Sequence, residues 1–231
     1  MNSVDRPGKS VAASDAQAFV FADLAGFTAL TEAHGDELAA DLVDEFSRAT
    51  AERLPRFGAE QVKMIGDALM LRVPEAARAI HLGLALTGDL MAEHGYPAIR
   101  VGMHYGPAVK RGGDWYGATV NLAARISGLA GGGEVLLSEA TRDAAGQIEG
   151  VQLRDRGTHR LHNVVQPVHL FTAVSLSEPH QNVPIDPVCR MAVDPHRCAG
   201  SLVHAGVEYH FCSLECAARF AASPEAYLSS A

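Results

Sequence analysis

The sequence predicts an α+β fold in two parts. The first is a ferredoxin-like core of order βαββαβ, an antiparallel sheet with helices on one face; the second is a small cysteine-containing α+β module. Three observations predict this. Between residues 17 and 175, short apolar runs of strand character alternate with segments whose apolar residues recur at helical spacing. All four cysteines, Cys189, Cys198, Cys212 and Cys216, fall in the last 43 of the 231 residues. The stretch before them is rich in Ser, Pro, Asn and His and lacks apolar periodicity, as a linker does. The chain therefore divides into a disordered N-terminus over 1–16, a larger domain over 17–175, a linker over 176–182 and a cysteine module over 183–231.

Ala18 to Asp23 is an apolar run suited to a buried strand. From Asp36 to Leu54, the residues Leu38, Leu42, Val43, Phe46 and Leu54 mark one helical face. Residues 60–63 and 68–73 form two strands joined across Met64-Ile65-Gly66-Asp67, with Gly66 easing the turn. Pro74 fits the first turn of a helix running through His94 and stopped by Gly95. Ile99 to Lys110 is a strand broken at Gly106-Pro107, residues 118–130 are a helix, and strands near 134–138, 151–154 and 168–174 complete the set.

Nineteen Lys and Arg against 27 Asp and Glu leave a formal charge of −8. That balance argues against a nucleic-acid partner or an anionic bilayer, both of which are held mainly by Lys and Arg. The longest uncharged run, residues 161–177, carries Asn163, Gln166, Pro167 and two histidines, too polar to cross a membrane. Asp5, Arg6 and Gly8 stand where a signal peptide needs apolar residues, so the expected location is cytoplasmic, where thiols stay reduced.

Three segments carry chemistry. Asp23 ends its apolar strand in FADLAGFT, where packing has no use for a carboxylate, and Gly26 lets the next backbone approach a ligand. Asp67 sits at the tip of the hairpin KMIGDALML. The β-α-β-β order allows these tips to be neighbours in the sheet, where two converging carboxylates would suit Mg²⁺ or Mn²⁺ carrying a polyphosphate. Taken singly, either aspartate is more commonly a turn cap. In DWYGATVNLAARIS, Asn121 and Arg125 share a helix face four residues apart. An amide beside a guanidinium suits a ribose oxygen and a phosphate, although alone the pair reads as a solvated face.

Together, in this order, the three segments resemble the catalytic domain of class III adenylate cyclases over about residues 16–174. The resemblance implies that Asp23 and Asp67, with the backbone carbonyl of Leu24, hold two Mg²⁺ or Mn²⁺ ions. It implies further that N–H groups around Phe27 and Thr28 meet the β and γ phosphates, Lys63 and Asp114 read the base, Asn121 orients the ribose and Arg125 stabilises the transition state. Adenine offers an acceptor at N1 and a donor at N6, which match Lys and Asp, so ATP is the expected substrate and 3′,5′-cyclic AMP with pyrophosphate the products. In this family the metal aspartates come from one subunit and the Lys, Asp, Asn and Arg from the other. All six stand in this chain, which implies a homodimer with two equivalent sites. One departure is Leu161-His162-Asn163 where many relatives have Leu-Lys-Gly; weaker ATP binding or replacement by Arg160 is expected, not loss of the chemistry. His34, His81, His94 and His104 read as surface or packed histidines.

Cys212 and Cys216 lie four apart at a helix start, and with Cys189 they make three thiolates suited to Zn²⁺ or Cu⁺. DPVCRMAVDP, GVEYHFCSLECAARF and SPEAYL resemble the YHS/TRASH-like metal-binding modules over about residues 183–229. Cys198 stands outside the usual pattern, as a fourth ligand or an idle thiol, with His210 and Asp186 as rivals. A metal-free reading with packed cysteines competes, although a module this small gains folding free energy from an ion. The expected whole is a soluble adenylate cyclase modulated through its C-terminal module. The alternative is a metal-binding sensor or carrier whose first domain serves only as a dimerisation or nucleotide-binding platform.

Overall fold

The computed structural model describes residues 16–91, 96–176 and 183–228. The expected N-terminal and linker segments, and the helix stop at His94-Gly95, lie almost wholly outside them. Among the described residues no helix is long and apolar enough to cross a membrane.

Strand β1 (Gln17–Leu24) leads through α1 (Phe27–His34) and α2 (Asp36–Arg53) to the hairpin β2 (Glu60–Ile65) and β3 (Ala68–Val73). Helix α3 (Ala76–Ala85) follows, widened by a π-helical turn over Leu86–Leu90, then β4 (Ile99–Gly106), the small hairpin β5 (Val109–Arg111) and β6 (Asp114–Tyr116), and α4 (Ala118–Leu129). Next come β7 (Val135–Ser138), α5 (Glu139–Ala145), β8 (Val151–His159) and β9 (Val168–Ser175). The main sheet has the order β2-β3-β1-β4-β7-β9-β8. Its first four strands are the ferredoxin-like core, and every pair in the sheet is antiparallel except β4–β7.

Helices cover both faces of the sheet, not one. Ala18, Val20, Ala22 and Leu24 of β1 face a core shared with Val43 and Phe46 of α2 and Ile80 and Leu82 of α3. The alternate residues Phe19 and Phe21 pack with Met70, Trp115 and, from α4, Val120 and Ala123. A strand apolar on both faces needs cover on both, and α4 supplies the second layer. It lies so close that a Cβ on Gly102 of β4 would fall 2.0 Å from the Ser127 backbone nitrogen. Glycine at 102 therefore sets the height at which α4 rides on the sheet.

The C-terminal module has the hairpin β10 (Gly200–His204) and β11 (Val207–Phe211), followed by α6 (Leu214–Ala222) and the short α7 (Pro224–Leu228). Val188, Phe211 and Phe220 share a core with Leu30 of α1 and Ala39 of α2. Backbone hydrogen bonds from Ala98 N–H to Arg190 C=O (2.9 Å) and from Ala192 N–H to Tyr96 C=O (2.8 Å) extend the join.

His104 on β4 hydrogen-bonds through Nδ1 to Ser138 Oγ at 2.6 Å, and burial pushes its pKa down to about 4 from 6.5. Between those values the unfolded chain takes up a proton that the native state refuses, so stability is lost as pH falls through this window. Unfolding in urea at pH 7 and pH 5 is expected to show a loss of about 2 kcal/mol in the native protein that His104→Gln lacks. Equal losses in both would contradict this.

Candidate active site and metal centre

The acidic pair forms at the ends of β1 and of the β2–β3 hairpin. Asp23 lies opposite Ala68 in the β1–β3 register, one residue beyond Asp67, so the strand pairing brings the two carboxylates together. They share a hydrogen bond, and Asp67 is pushed up to about 6, first by burial and then by the negative charge of Asp23. A divalent cation relieves such crowding, and the donors, hard carboxylate oxygens, fit Mg²⁺ or Mn²⁺. Arg100 of β4, which faces Asp23 across the register, donates Nε to Asp23 Oδ2 at 2.7 Å and Nη2 to the same oxygen. Nothing in the local sequence marks Arg100, because only the β1–β4 register makes it a neighbour of Asp23.

Immediately after β1 the chain turns at Gly26 (φ 78°) into α1. No side chain caps this helix, and the first intrahelical bond in the turn runs from Leu30 N–H to Gly26 C=O. The N–H groups of Phe27 and Thr28 are thus left for an anion, where the helix dipole also favours negative charge. A Cβ on Gly26 would meet Arg190 Cγ at 2.3 Å. Arg190, itself in the left-handed region at φ 65°, reaches over this turn from the C-terminal module. A cavity of about 430 Å³ opens here, lined by Gly26, Ala29, Arg100, Arg190 and Arg219 among others.

On the sheet's far edge, Lys63 of β2 donates to Asp114 Oδ2 of β6 at 2.5 Å. That hydrogen bond, joined by one from the Trp115 backbone N–H, holds Asp114 below the usual carboxylate range. A cation and an anion held side by side present one donor and one acceptor. Asn121 and Arg125 are both exposed on α4, opposite the face that buries Ala123 and Ile126. Leu161 is buried, while His162 and Asn163 are exposed in a turn with Asn163 at φ 61°.

With this geometry, residues 10–171 match the profile of the adenylate and guanylate cyclase catalytic domain. The chain belongs to that family. Residues 184–231 match the YHS domain. The cyclase domain aligns with a pH-sensitive adenylate cyclase, MT1302, of Mycobacterium tuberculosis at 34% identity over 167 residues, 71% of this chain and 42% of that protein. An adenylate cyclase of Streptomyces coelicolor is 35% identical over 131 residues, 54% of this chain and 34% of that one. The chain thus spans less than half the length of these relatives. The crystal structure of the adenylyl cyclase CyaB from P. aeruginosa superposes with a TM-score of 0.60 at 24% identity, covering 69% of this chain and 94% of that one, and shares the cyclase fold.

Where the cyclase domain meets the YHS module, Cys189, Cys212 and Cys216 come together with His34, the last residue of α1. Cys212 Sγ lies 3.3 Å from Cys189 Sγ, 3.8 Å from Cys216 Sγ and 3.5 Å from His34 Nε2. The hydrogen bond with Cys189 holds the Cys212 thiol down at about 7 and raises Cys189, while burial pushes Cys216 up to about 12. Cys198 lies apart, its thiol donating to the Pro195 carbonyl at 3.3 Å. Asp186 accepts from the N–H groups of Val188 (2.8 Å) and Cys212 (2.9 Å), so it ties the cysteine-bearing loops together from behind. His34 is thus not the surface or packed histidine that its sequence context suggests; 178 residues separate it from Cys212, and only the packing of α1 against the YHS module joins them.

Proposed function

We propose that this chain is an adenylate cyclase that converts ATP to 3′,5′-cyclic AMP and pyrophosphate at two equivalent sites of a homodimer, with its output modulated by a metal ion in the YHS module. The observation that carries this reading is the division of the groups. Asp23, Asp67 and the Phe27–Thr28 amides cluster beside the end of β1, while Lys63, farther back on the hairpin that carries Asp67, pairs with Asp114 of β6, and Asn121 and Arg125 are exposed on α4.

Asp23 and Asp67, with the Leu24 carbonyl, would hold two Mg²⁺ or Mn²⁺ ions, which when bound neutralise phosphate charge and make the ribose 3′-hydroxyl a better nucleophile. The Phe27 and Thr28 amides receive the terminal phosphates, and Arg100 and Arg190 add positive charge beside them. From the partner copy, Lys63 donates to adenine N1 and Asp114 accepts from N6. Asn121 orients the ribose so that its 3′-oxygen lies in line with the α-phosphorus, and Arg125 stabilises the charge that develops there as pyrophosphate leaves. The exposure of His162 and Arg160 leaves both available to the phosphates in place of the lysine common among relatives.

Incubation of the purified protein with Mn²⁺ and ATP is expected to yield cyclic AMP and pyrophosphate, identified by chromatography and mass; linear AMP alone, or no turnover, would contradict the reading. Lys63→Glu with Asp114→Cys removes both contacts to the base. It is expected to lower kcat/KM for ATP by about 100-fold, the worth of two charge-assisted hydrogen bonds. Undiminished preference for ATP would overturn the assignment of the base.

A further inference from the structure

We propose that His34 of the cyclase domain is the fourth ligand of a Cys₃His zinc site with Cys189, Cys212 and Cys216, and that the ion clamps helix α1, whose opposite end seats the terminal phosphates. The second half of this proposal rests on the cyclase reading above; the first half does not.

The geometry of the donors carries the site. The four ligand atoms all lie within 4.8 Å of one another. In a tetrahedron with Zn–S of about 2.3 Å and Zn–N of about 2.0–2.1 Å, sulfurs stand about 3.8 Å apart and a nitrogen stands about 3.5 Å from each sulfur. Cys212 Sγ stands 3.3 Å from Cys189 Sγ and 3.8 Å from Cys216 Sγ, and His34 Nε2 lies 3.5 Å from Cys212 Sγ and 3.9 Å from Cys216 Sγ. Three thiolates with one imidazole suit Zn²⁺ and exclude Mg²⁺, which demands oxygen. The ligands are also braced from behind. Asp186 accepts the N–H of Cys212, and Ser213 Oγ caps α6 by accepting the N–H of Cys216 at 3.1 Å. Buried packing alone accounts for Cys189 and Cys216, but not for a half-buried histidine of another domain turned onto the sulfurs.

The position of His34 gives the ion its reach. Alpha-1 is eight residues long, about 12 Å from end to end, and stops at Gly35, whose N–H bonds to Thr31 C=O. A cation at its C-terminal end is favoured by the dipole and fixes the helix there. At its other end the clamp closes through the chain: Cys189 is a ligand, and the next residue, Arg190, crosses Gly26 at the phosphate turn. A single ion therefore holds both ends of the helix, through His34 at one and through Cys189-Arg190 at the other.

The test uses the full chain, reduced and stripped of metal, titrated with Co²⁺ as a coloured stand-in and then with competing Zn²⁺. One Co²⁺ per chain is expected, with thiolate charge-transfer and tetrahedral ligand-field bands. His34→Ala should shift those bands and weaken binding by more than the roughly 10–100-fold that loss of an outer-shell partner costs. His34→Cys should restore tight tetrahedral binding with a changed spectrum, which excludes misfolding as the cause, and Cys198→Ser should change nothing. Absence of binding, or wild-type affinity and spectrum in His34→Ala, would overturn the site. For the clamp, Zn²⁺ should slow amide exchange across residues 27–34 and lower KM for ATP about tenfold at constant Mg²⁺, about one charge-assisted contact. Unchanged exchange would overturn the clamp. Slowed exchange in a protein that makes no cyclic AMP would instead sink the cyclase reading and leave the zinc site standing.

Discussion

Asp67→Asn is expected to lower turnover of ATP by about 1,000-fold while raising the melting temperature. A divalent ion held by two carboxylates loses several kcal/mol of charge stabilisation when one becomes a neutral amide, and each 1.36 kcal/mol is a factor of ten in rate. Asparagine has the same shape, so the hairpin, with Ile65 paired to Ala68 across the turn, keeps its register. The stability change has the opposite sign for a simple reason. In the absence of an ion, Asp67 is crowded by Asp23 and by burial, which together push it up to about 6, so its ionised form is a cost to the native state near neutral pH. Replacing it removes that cost. A turn-capping aspartate behaves otherwise: its loss lowers stability and leaves turnover nearly intact. Steady-state kinetics with Mn²⁺–ATP and a thermal melt of the same preparation separate the two, and a fall in melting temperature with near-normal turnover would contradict the metal-seat role.

Arg125→Ala is expected to reduce kcat by about 100- to 1,000-fold, the range found for removing one donor to transition-state charge, with KM for ATP changed little. The folded monomer should scarcely register the change. Arg125 is exposed on α4, while Val120, Ala123 and Ile126 of the same helix carry the packing, so stability is expected to stay within about 0.5 kcal/mol. A rise in KM with unchanged kcat would assign Arg125 to substrate binding alone.

Much of the cyclase domain is legible in its sequence because its elements obey simple periods. The apolar run of β1, the two strands around Gly66-Asp67 and the helix bearing Asn121 and Arg125 all lie within a few residues of where pattern places them. Alpha-1 is not legible. FTALTEAH is two turns long between Gly26 and Gly35 and buries only Leu30 fully, in a core shared with Ala39 of α2 and with the YHS module, so packing more than its own pattern holds it. Beta-8 is longer than its apolar residues suggest, since Arg154 to His159 is polar and kinked by a register shift between Asp155 and Gly157. Alpha-5 escapes notice for its shortness, although Ser138, which accepts from the Thr141 N–H, is a recognisable cap. The placement of α4 on the second face was readable in principle, because Phe19 and Phe21 alternate with Ala18, Val20 and Ala22.

The site divides in the same way. Asp23, Lys63, Asp67, Asp114, Asn121 and Arg125 stand in local motifs and can be named from sequence. Arg100, Arg190 and His34 cannot, because each matters only through a neighbour that the fold brings from far along the chain.

Catalysis across the interface requires one copy's acidic pair and another copy's Arg125 to act on the same nucleotide. Mixing Asp23→Ala with Arg125→Ala, each expected to keep about one per cent of native activity or less alone, tests it most directly. In a heterodimer both lesions fall in one site and leave the other whole, so random exchange is expected to restore about one quarter of native activity. No recovery in a mixture whose subunits demonstrably exchange would contradict catalysis across the interface.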